Sequence, residues 1–403
     1  MHVEAIAESR RRGSARVVGL VSAGHFFSHF YMLLLPPLFP FLRDVYGVGF
    51  TELGFAITVF SITTGLTQAP IGFLVDRYGA RGILIGGLAL HALAMALVAA
   101  VPVYPALIAF MVLAGLANAV YHPADYSILN ACVGKSGIGR AFSIHTFAGY
   151  LGGAMAPVTV VLLMNSLGWR AAVALSAAAG IVVVVLLALN ASVLDDAGRD
   201  APGARVAVPG GGLKLLFSVP ILTGLLFFTG ISMAGHGISD FGVSALHLLH
   251  QAPHAQAAAV LSAFLFASPV GVLVGGWIAD HTRHHDRLAA LCFVTMAAMF
   301  IPVGLFDLSV QTIVVMFVIA GLANGLVAPS RDMMIRAVTP PGQMGKVFGF
   351  VSTGYNVGGV VAPIVFGYVL DHAAPSMLFW LVGVISLATV VTVFATGRHG
   401  RAG

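Results

Sequence analysis

Charge is what this sequence has least of. Asp, Glu, Lys and Arg make up 9% of the 403 residues, against about a quarter in a soluble domain. So few charges cannot cover a water-exposed surface of this size, and lipid is the expected solvent. Cysteine is scarce too. Cys132 and Cys292 stand apart in or beside apolar segments, which excludes a disulfide framework or a cysteine metal site. No GxxxxGK[ST] phosphate loop occurs, so an ATP-driven pump is disfavoured. No nucleophile–base or metal spacing points to an enzyme. The start, MHVEAIAESRRRGSARVV, is polar and basic, with no small-residue cleavage site, and no removed signal peptide is expected.

Long apolar runs are what the chain does have. A spanning helix needs about 20 mostly apolar residues. Twelve segments qualify, near 17–42, 51–74, 83–101, 105–132, 138–165, 170–193, 217–248, 256–279, 288–306, 309–334, 346–370 and 376–396. Lipid leaves backbone groups no outside partner, so these runs are expected as helices and not as short alternating barrel strands. The fold class expected is an all-α membrane protein with twelve transmembrane helices. The longest polar stretch, DDAGRDAPGARVAVPGGGL at 195–213, reads as a flexible connection between two groups of six. The expected organisation is a cytoplasmic tail 1–16, a bundle 17–193, a linker 194–214, a bundle 215–396 and a tail 397–403.

The net charge of +5 follows membrane topology and implies no nucleic-acid partner. With the N-terminus placed in the cytoplasm, only Arg43 and Arg170 of the 20 Lys and Arg fall outside. Arg331 lies in a helix end and the rest are cytoplasmic, as the positive-inside rule requires. Both termini are therefore expected in the cytoplasm, in a bacterial inner membrane.

Self-comparison divides the chain in two. GLANAVYHP at 115–123 recurs as GLANGLVAP at 321–329, and GGAMAP at 152–157 as GGVVAP at 358–363, both 206 residues on. Gly72-Phe-Leu-Val-Asp76 recurs as Gly276-Trp-Ile-Ala-Asp280. Gly24-His25-Phe-Phe-Ser28-His29-Phe30 recurs as Gly235-His236-Gly-Ile-Ser239-Asp240-Phe241. The matches pair span 1 with 7, 2 with 8, 4 with 10 and 5 with 11, in parallel orientation. Two pseudo-symmetric six-helix bundles of this kind form the major facilitator fold, with a site between the repeats near mid-membrane.

The loop after span 2 reads Gly72-Phe-Leu-Val-Asp76-Arg77-Tyr-Gly79-Ala-Arg81 and resembles the major facilitator signature G-x-L-x-D-R-x-G-x-R. Its second copy, Gly276 to Arg283, is degraded. A closer resemblance covers roughly residues 20–160: Gly24-His25-x-x-Ser28-His29, Leu35-Pro36-x-x-x-Pro40-x-x-x-Asp44, Leu66-Thr67-Gln68-x-Pro70-x-Gly72, His122-Pro123 and Gly149-x-x-Gly152. These look like the fosmidomycin-resistance group of drug–proton antiporters. Two departures stand out. His29 occupies a position where that group carries an aspartate, and the helix-4 arginine of drug–proton antiporters falls near apolar Met111.

Ionisable groups inside a bilayer are costly and are functional candidates by default. His25 and His29 share one face of span 1, and His236 and Asp240 repeat the arrangement on span 7. Histidine changes charge near neutral pH, so the four are expected to line one cavity and couple protons to transport. A neutral, hydrogen-bonded packing role is the bland alternative. His122 beside Pro123 is expected at a kink, and His145 is a further candidate of the same kind. Gln68, Asn118, Tyr150, Asn324 and Asn356 are uncharged polar groups for the cavity or for helix packing. Gly149, Gly152, Gly153, Gly358 and Gly359 are read as close-approach positions. A charge latch is expected from Gly72, Asp76, Arg77, Gly79, Arg81 and Asp125, with Asp280, Arg331 and Asp332 as its partner.

No cofactor and no metal is expected. His281, His284 and His285 in HTRHHD, and His247, His250 and His254, read as ordinary surface histidines. The function these features imply is a monomeric, proton-coupled secondary transporter that exports a small organic or drug-like molecule. Import of a small carboxylate by proton symport is the alternative.

Overall fold

A peptide group in hydrocarbon finds a partner only within its own helix or a closed barrel. The computed structural model describes residues 2–133, 138–194, 215–340 and 344–400, and among these the chain is helix joined by short turns, with no strand. Side chains are described from residue 14, except those of 139, 280, 344–346 and 398–400. The helices are α1 (His2–Met32), α2 (Phe39–Tyr46), α3 (Phe50–Tyr78), α4 (Ala80–Ala100), α5 (Tyr104–Asn118), α6 (Tyr121–Cys132) and α7 (Ile138–Leu167). They continue as α8 (Trp169–Leu189), α9 (Val219–His250), α10 (His254–His281), α11 (His285–Leu305), α12 (Val310–Ala337), α13 (Met344–His372) and α14 (Ser376–Gly400). Among the described residues twelve stretches are long and apolar enough to cross a membrane, and they match the expected spans in order and number. The first joins α1 to α2 and the fourth joins α5 to α6. The expected tail 1–16 is not separate from the bundle: α1 runs back through it to His2. The linker 195–213 lies outside the described residues.

Both broken spans have a proline cause. In span 1, Pro36 and Pro37 open a 3-10 turn, Pro36–Leu38, between α1 and α2. In span 4 the break falls at Ala119 and Val120. The ring of Pro123 is four residues on, where it clashes with the Ala119 carbonyl and offers that carbonyl no N–H.

Contacts divide the chain into two compact units. Unit 1 is Met1–Leu38 with Val59–Gly203, and unit 2 is Phe39–Thr58 with Ala204–Gly403. This corrects the expected boundary, because residues 39–58 pack with the second half. Asp371, near the end of α13, accepts the N–H groups of Phe50 (2.8 Å) and Thr51 (2.7 Å) and the Thr51 hydroxyl (2.7 Å). First-turn N–H groups have no intrahelical partner, and a carboxylate there also meets the positive end of the helix dipole. The Thr58 hydroxyl donates to the Val360 carbonyl at 2.7 Å, and the Phe39 ring lies 5.5 Å from that of Phe241.

Inside each unit the packing repeats. In unit 1, α1 lies along α7 and α4 along α8; in unit 2, α9 lies along α13 and α11 along α14. The small-residue stripes make this closeness feasible. A Cβ on Gly115 would stand 2.6 Å from the Phe60 carbonyl oxygen, and one on Gly321 would stand 2.3 Å from that of Phe264. Likewise a Cβ on Gly152 would stand 2.0 Å from the Phe26 carbonyl oxygen, and one on Gly358 would stand 2.4 Å from the Ser232 side chain.

Candidate functional site

Three helices of unit 1 bring five ionisable side chains together. One turn of α1 presents His25 and His29, α6 presents His122 and Asp125, and α7 presents His145. Asp125 and His145 are fully buried and His25 is 3% exposed. His145 Nε2 lies 2.9 Å from Asp125 Oδ2, and His25 Nδ1 lies 3.4 Å from the same oxygen. The rings of His25 and His145 stack at 3.8 Å. His29 stands 4.8 Å from His25 edge-on, and His122 stands 5.3 Å away. His122 is exposed and stacks on Tyr126 at 5.8 Å. Asp125 Oδ1 and His145 Nδ1 are buried without a hydrogen-bond partner.

Glycine makes the cluster possible. Gly149 sits one turn beyond His145 on α7, and a Cβ there would lie 2.7 Å from the His25 ring and 2.9 Å from His29. The missing side chain is the room the two imidazoles occupy.

Asp125 is therefore not part of the expected latch. On α6 it shares the inward face with Tyr121, Ala124, Ile128 and Leu129, which turns its carboxyl toward α1 and α7. Asp76 and Arg77 are exposed, and the Arg77 guanidinium lies over Tyr78 at 5.2 Å. Arg81 donates to the Ala191 carbonyl at 3.4 Å. Gly79 adopts φ 85°, a left-handed conformation that favours glycine, whereas a Cβ on Gly72 would meet open space.

Unit 2 holds the second pair. His236 Nδ1 is 2.8 Å from Asp240 Oδ2, and the Ser239 hydroxyl donates to Oδ1 at 3.1 Å. Asp240 is 3% exposed, and the His236 side chain is 28% exposed. The two copies of the histidine motif thus lie in different units. Arg331 donates from Nε to Asp332 Oδ1 at 2.8 Å and hydrogen-bonds the Tyr355 hydroxyl. Its guanidinium lies over the Phe228 ring at 4.8 Å. Arg331 and Asp332 thus pair with each other as neighbours on α12, and the side chain of Asp280 lies outside the described residues.

The uncharged candidates separate by role. Asn324 donates to Ser268 Oγ at 3.3 Å, joining α12 to α10. Asn118 is the last residue of α5, and Gln68 is half-buried. Tyr150 and Asn356 are exposed. Two of the histidines expected at the surface are tied to backbone: half-buried His247 to the Ala252 carbonyl at 2.9 Å and His250, its side chain buried, to that of Val303 at 3.0 Å. Sequence reasoning passed over His91, which is fully buried with its Nδ1 3.3 Å from the Tyr121 hydroxyl. It also passed over the Asp371 clasp. A helix-terminal acid on one span and an N-terminal Phe-Thr on another carry no shared pattern along the chain.

Comparison with known proteins agrees with this architecture. The family model described as Major Facilitator Superfamily matches residues 21–301 and 231–402. The fosmidomycin resistance protein of Escherichia coli is 23% identical, over 98% of this chain and 96% of its own. The probable sulfoacetate transporter SauU of Cupriavidus necator is 24% identical, over 93% and 92%. Among solved structures, a bacterial homolog to the human lysosomal transporter Spinster, inward-facing and unoccupied, superposes with a TM-score of 0.76. That alignment covers 96% of each chain at 14% identity.

Proposed function

The chain belongs to the Major Facilitator Superfamily, whose members are membrane transporters and not enzymes, and from that premise we propose that it is a proton-coupled exporter of a small organic or drug-like molecule. It works as a monomer by alternating access in a bacterial inner membrane, with lipid as its solvent and both termini cytoplasmic. The carrying observation is the Asp240 carboxyl: 3% exposed, in a membrane span, and held by half-buried His236 at 2.8 Å. A buried acid with one partly open imidazole beside it has a route for a proton. Coupling requires that proton and substrate bias the same two-state equilibrium. A carboxylate whose partner differs between states meets that requirement.

The export direction is supported by the likeness to the fosmidomycin resistance protein. Import of a small carboxylate by proton symport is the second reading, favoured by the sulfoacetate transporter relative and by half-buried Arg331. A growth screen against toxic compounds, run in deletion and overexpressing strains, separates the two and supplies the substrate. In proteoliposomes with that substrate, Asp240→Asn is expected to abolish accumulation driven by a pH gradient and to spare exchange at equal pH. Uphill accumulation by the variant removes Asp240 as the coupling acid.

A further inference from the structure

Proton coupling at His236 and Asp240 leaves the larger polar cluster of unit 1 without a task. We infer that His25, Asp125 and His145 form a binding site for a divalent transition cation of the zinc class. The inference concerns unit 1 alone and does not rest on the coupling reading.

Geometry comes first. His25 Nδ1, Asp125 Oδ2 and His145 Nε2 all lie within 4.8 Å of one another. Around a tetrahedral zinc with bonds of about 2.0 Å, ligand atoms stand roughly 3.3 Å apart. The His145–Asp125 and His25–Asp125 separations, 2.9 and 3.4 Å, bracket that value. The three ligands come from three different helices, so the backbone holds them in place without a loop.

Donor chemistry selects the ion. Two imidazoles and a carboxylate suit zinc, cobalt or nickel, whereas magnesium and calcium prefer all-oxygen sites. Three protein ligands leave a coordination position open, as in zinc sites that exchange a fourth ligand. His29 and His122 lie nearby, with rings 4.8 and 5.3 Å from that of His25.

The unpartnered atom points the same way. Asp125 is fully buried, both histidines converge on Oδ2, and Oδ1 has no partner. Leaving a buried acceptor unmet is costly. Protonated histidines relieve this poorly. Rings stacked at 3.8 Å repel if both are charged. A dication neutralises the carboxylate with both rings neutral, which is the ligand form of histidine. Gly149 keeps the space clear, as described above.

The repeat supplies an internal control. The positions 206 residues beyond Asp125, His145 and Gly149 are Arg331, Val351 and Tyr355. Unit 2 therefore lacks the ligand set at the matching place.

The test uses the untagged full chain in detergent, stripped with a chelator and titrated with Co2+. One equivalent should bind, with a visible d–d band, and Zn2+ should displace it. Asp125→Asn and His145→Gln should each weaken binding by more than the about 10- to 100-fold typical of outer-shell partners. A variant that replaces His281, His284 and His285 together by Gln should keep the site, as should Asp240→Asn. Where Asp125→Asn fails to fold, His25→Gln gives the same reading. No saturable Co2+ or Zn2+ binding to the wild-type chain overturns the inference. So does binding that survives in the cluster variants and vanishes with the loop histidines.

Discussion

Asp125 on α6 and Arg331 on α12 occupy one position of the repeat, 206 residues apart, and carry opposite charge. Around them the exchange continues. Gly149 opens space for two imidazoles, whereas its counterpart Tyr355 fills that space and hydrogen-bonds Arg331. On the first span of each unit, His25 matches His236, but His29 matches Asp240. Each unit therefore keeps a buried carboxylate against a histidine. Unit 1 sets it on the fourth span and unit 2 on the seventh. Backbone contacts, by contrast, are preserved: Gly115 meets Phe60 as Gly321 meets Phe264. Duplication has conserved the places where helices touch and released the polar chemistry between them.

The two proline-bearing spans sharpen the same contrast. Pro123 and Pro329 match, yet span 4 breaks at Ala119 while α12 continues from Val310 to Ala337. The residue matching Ala119 is Gly325, where a Cβ would lie 1.9 Å from the Ser268 carbonyl oxygen. An unbroken helix packed this closely on Ser268 demands glycine. With alanine, the chain in unit 1 turns aside where proline has already removed the hydrogen bond.

The largest expected effect breaks this contrast directly. Gly325→Ala should drive α12 off α10 and cost about 1–3 kcal/mol, the usual penalty of overpacking; Ala119→Gly should cost less. Thermal unfolding of both variants in detergent reads the difference, and equal losses would remove glycine as the reason for the straight helix. Next comes the signature loop, intact in unit 1 and degraded in unit 2. Asp76→Asn should lower turnover severalfold with membrane insertion intact, and normal turnover in proteoliposomes would dissolve the latch. Smallest is Tyr355→Phe, which removes one hydrogen bond to Arg331 and should cost about 1 kcal/mol. A loss of all stability would mean that Tyr355 holds more than this pair.

Much of the candidate site was legible only as a list of parts. His25, His29, His122 and His145 stand out because lipid makes ionisable groups conspicuous. That Asp125 belongs with them did not follow, since its place near a helix end and beside a charged loop suggested a latch. Three residues separate His122 from Asp125, so both rise from one side of α6, and this spacing was the available signal. His236 and Asp240 of α9 stand four residues apart, about one turn, so that they share a helix face is a relation that needs no tertiary information.

Hydropathy by itself determined the twelve spans and their helical state. Those properties sum over local residues, and lipid allows the backbone no second solution. Tertiary structure decided which polar groups meet. The rotation of α6 turned Asp125 inward to His25 and His145. Tertiary structure also decided that residues 39–58 join unit 2, because an Asp371 carboxylate at the end of α13 found the free N–H groups at the start of α3. Encounters of that kind depend on positions hundreds of residues apart, which no local pattern encodes.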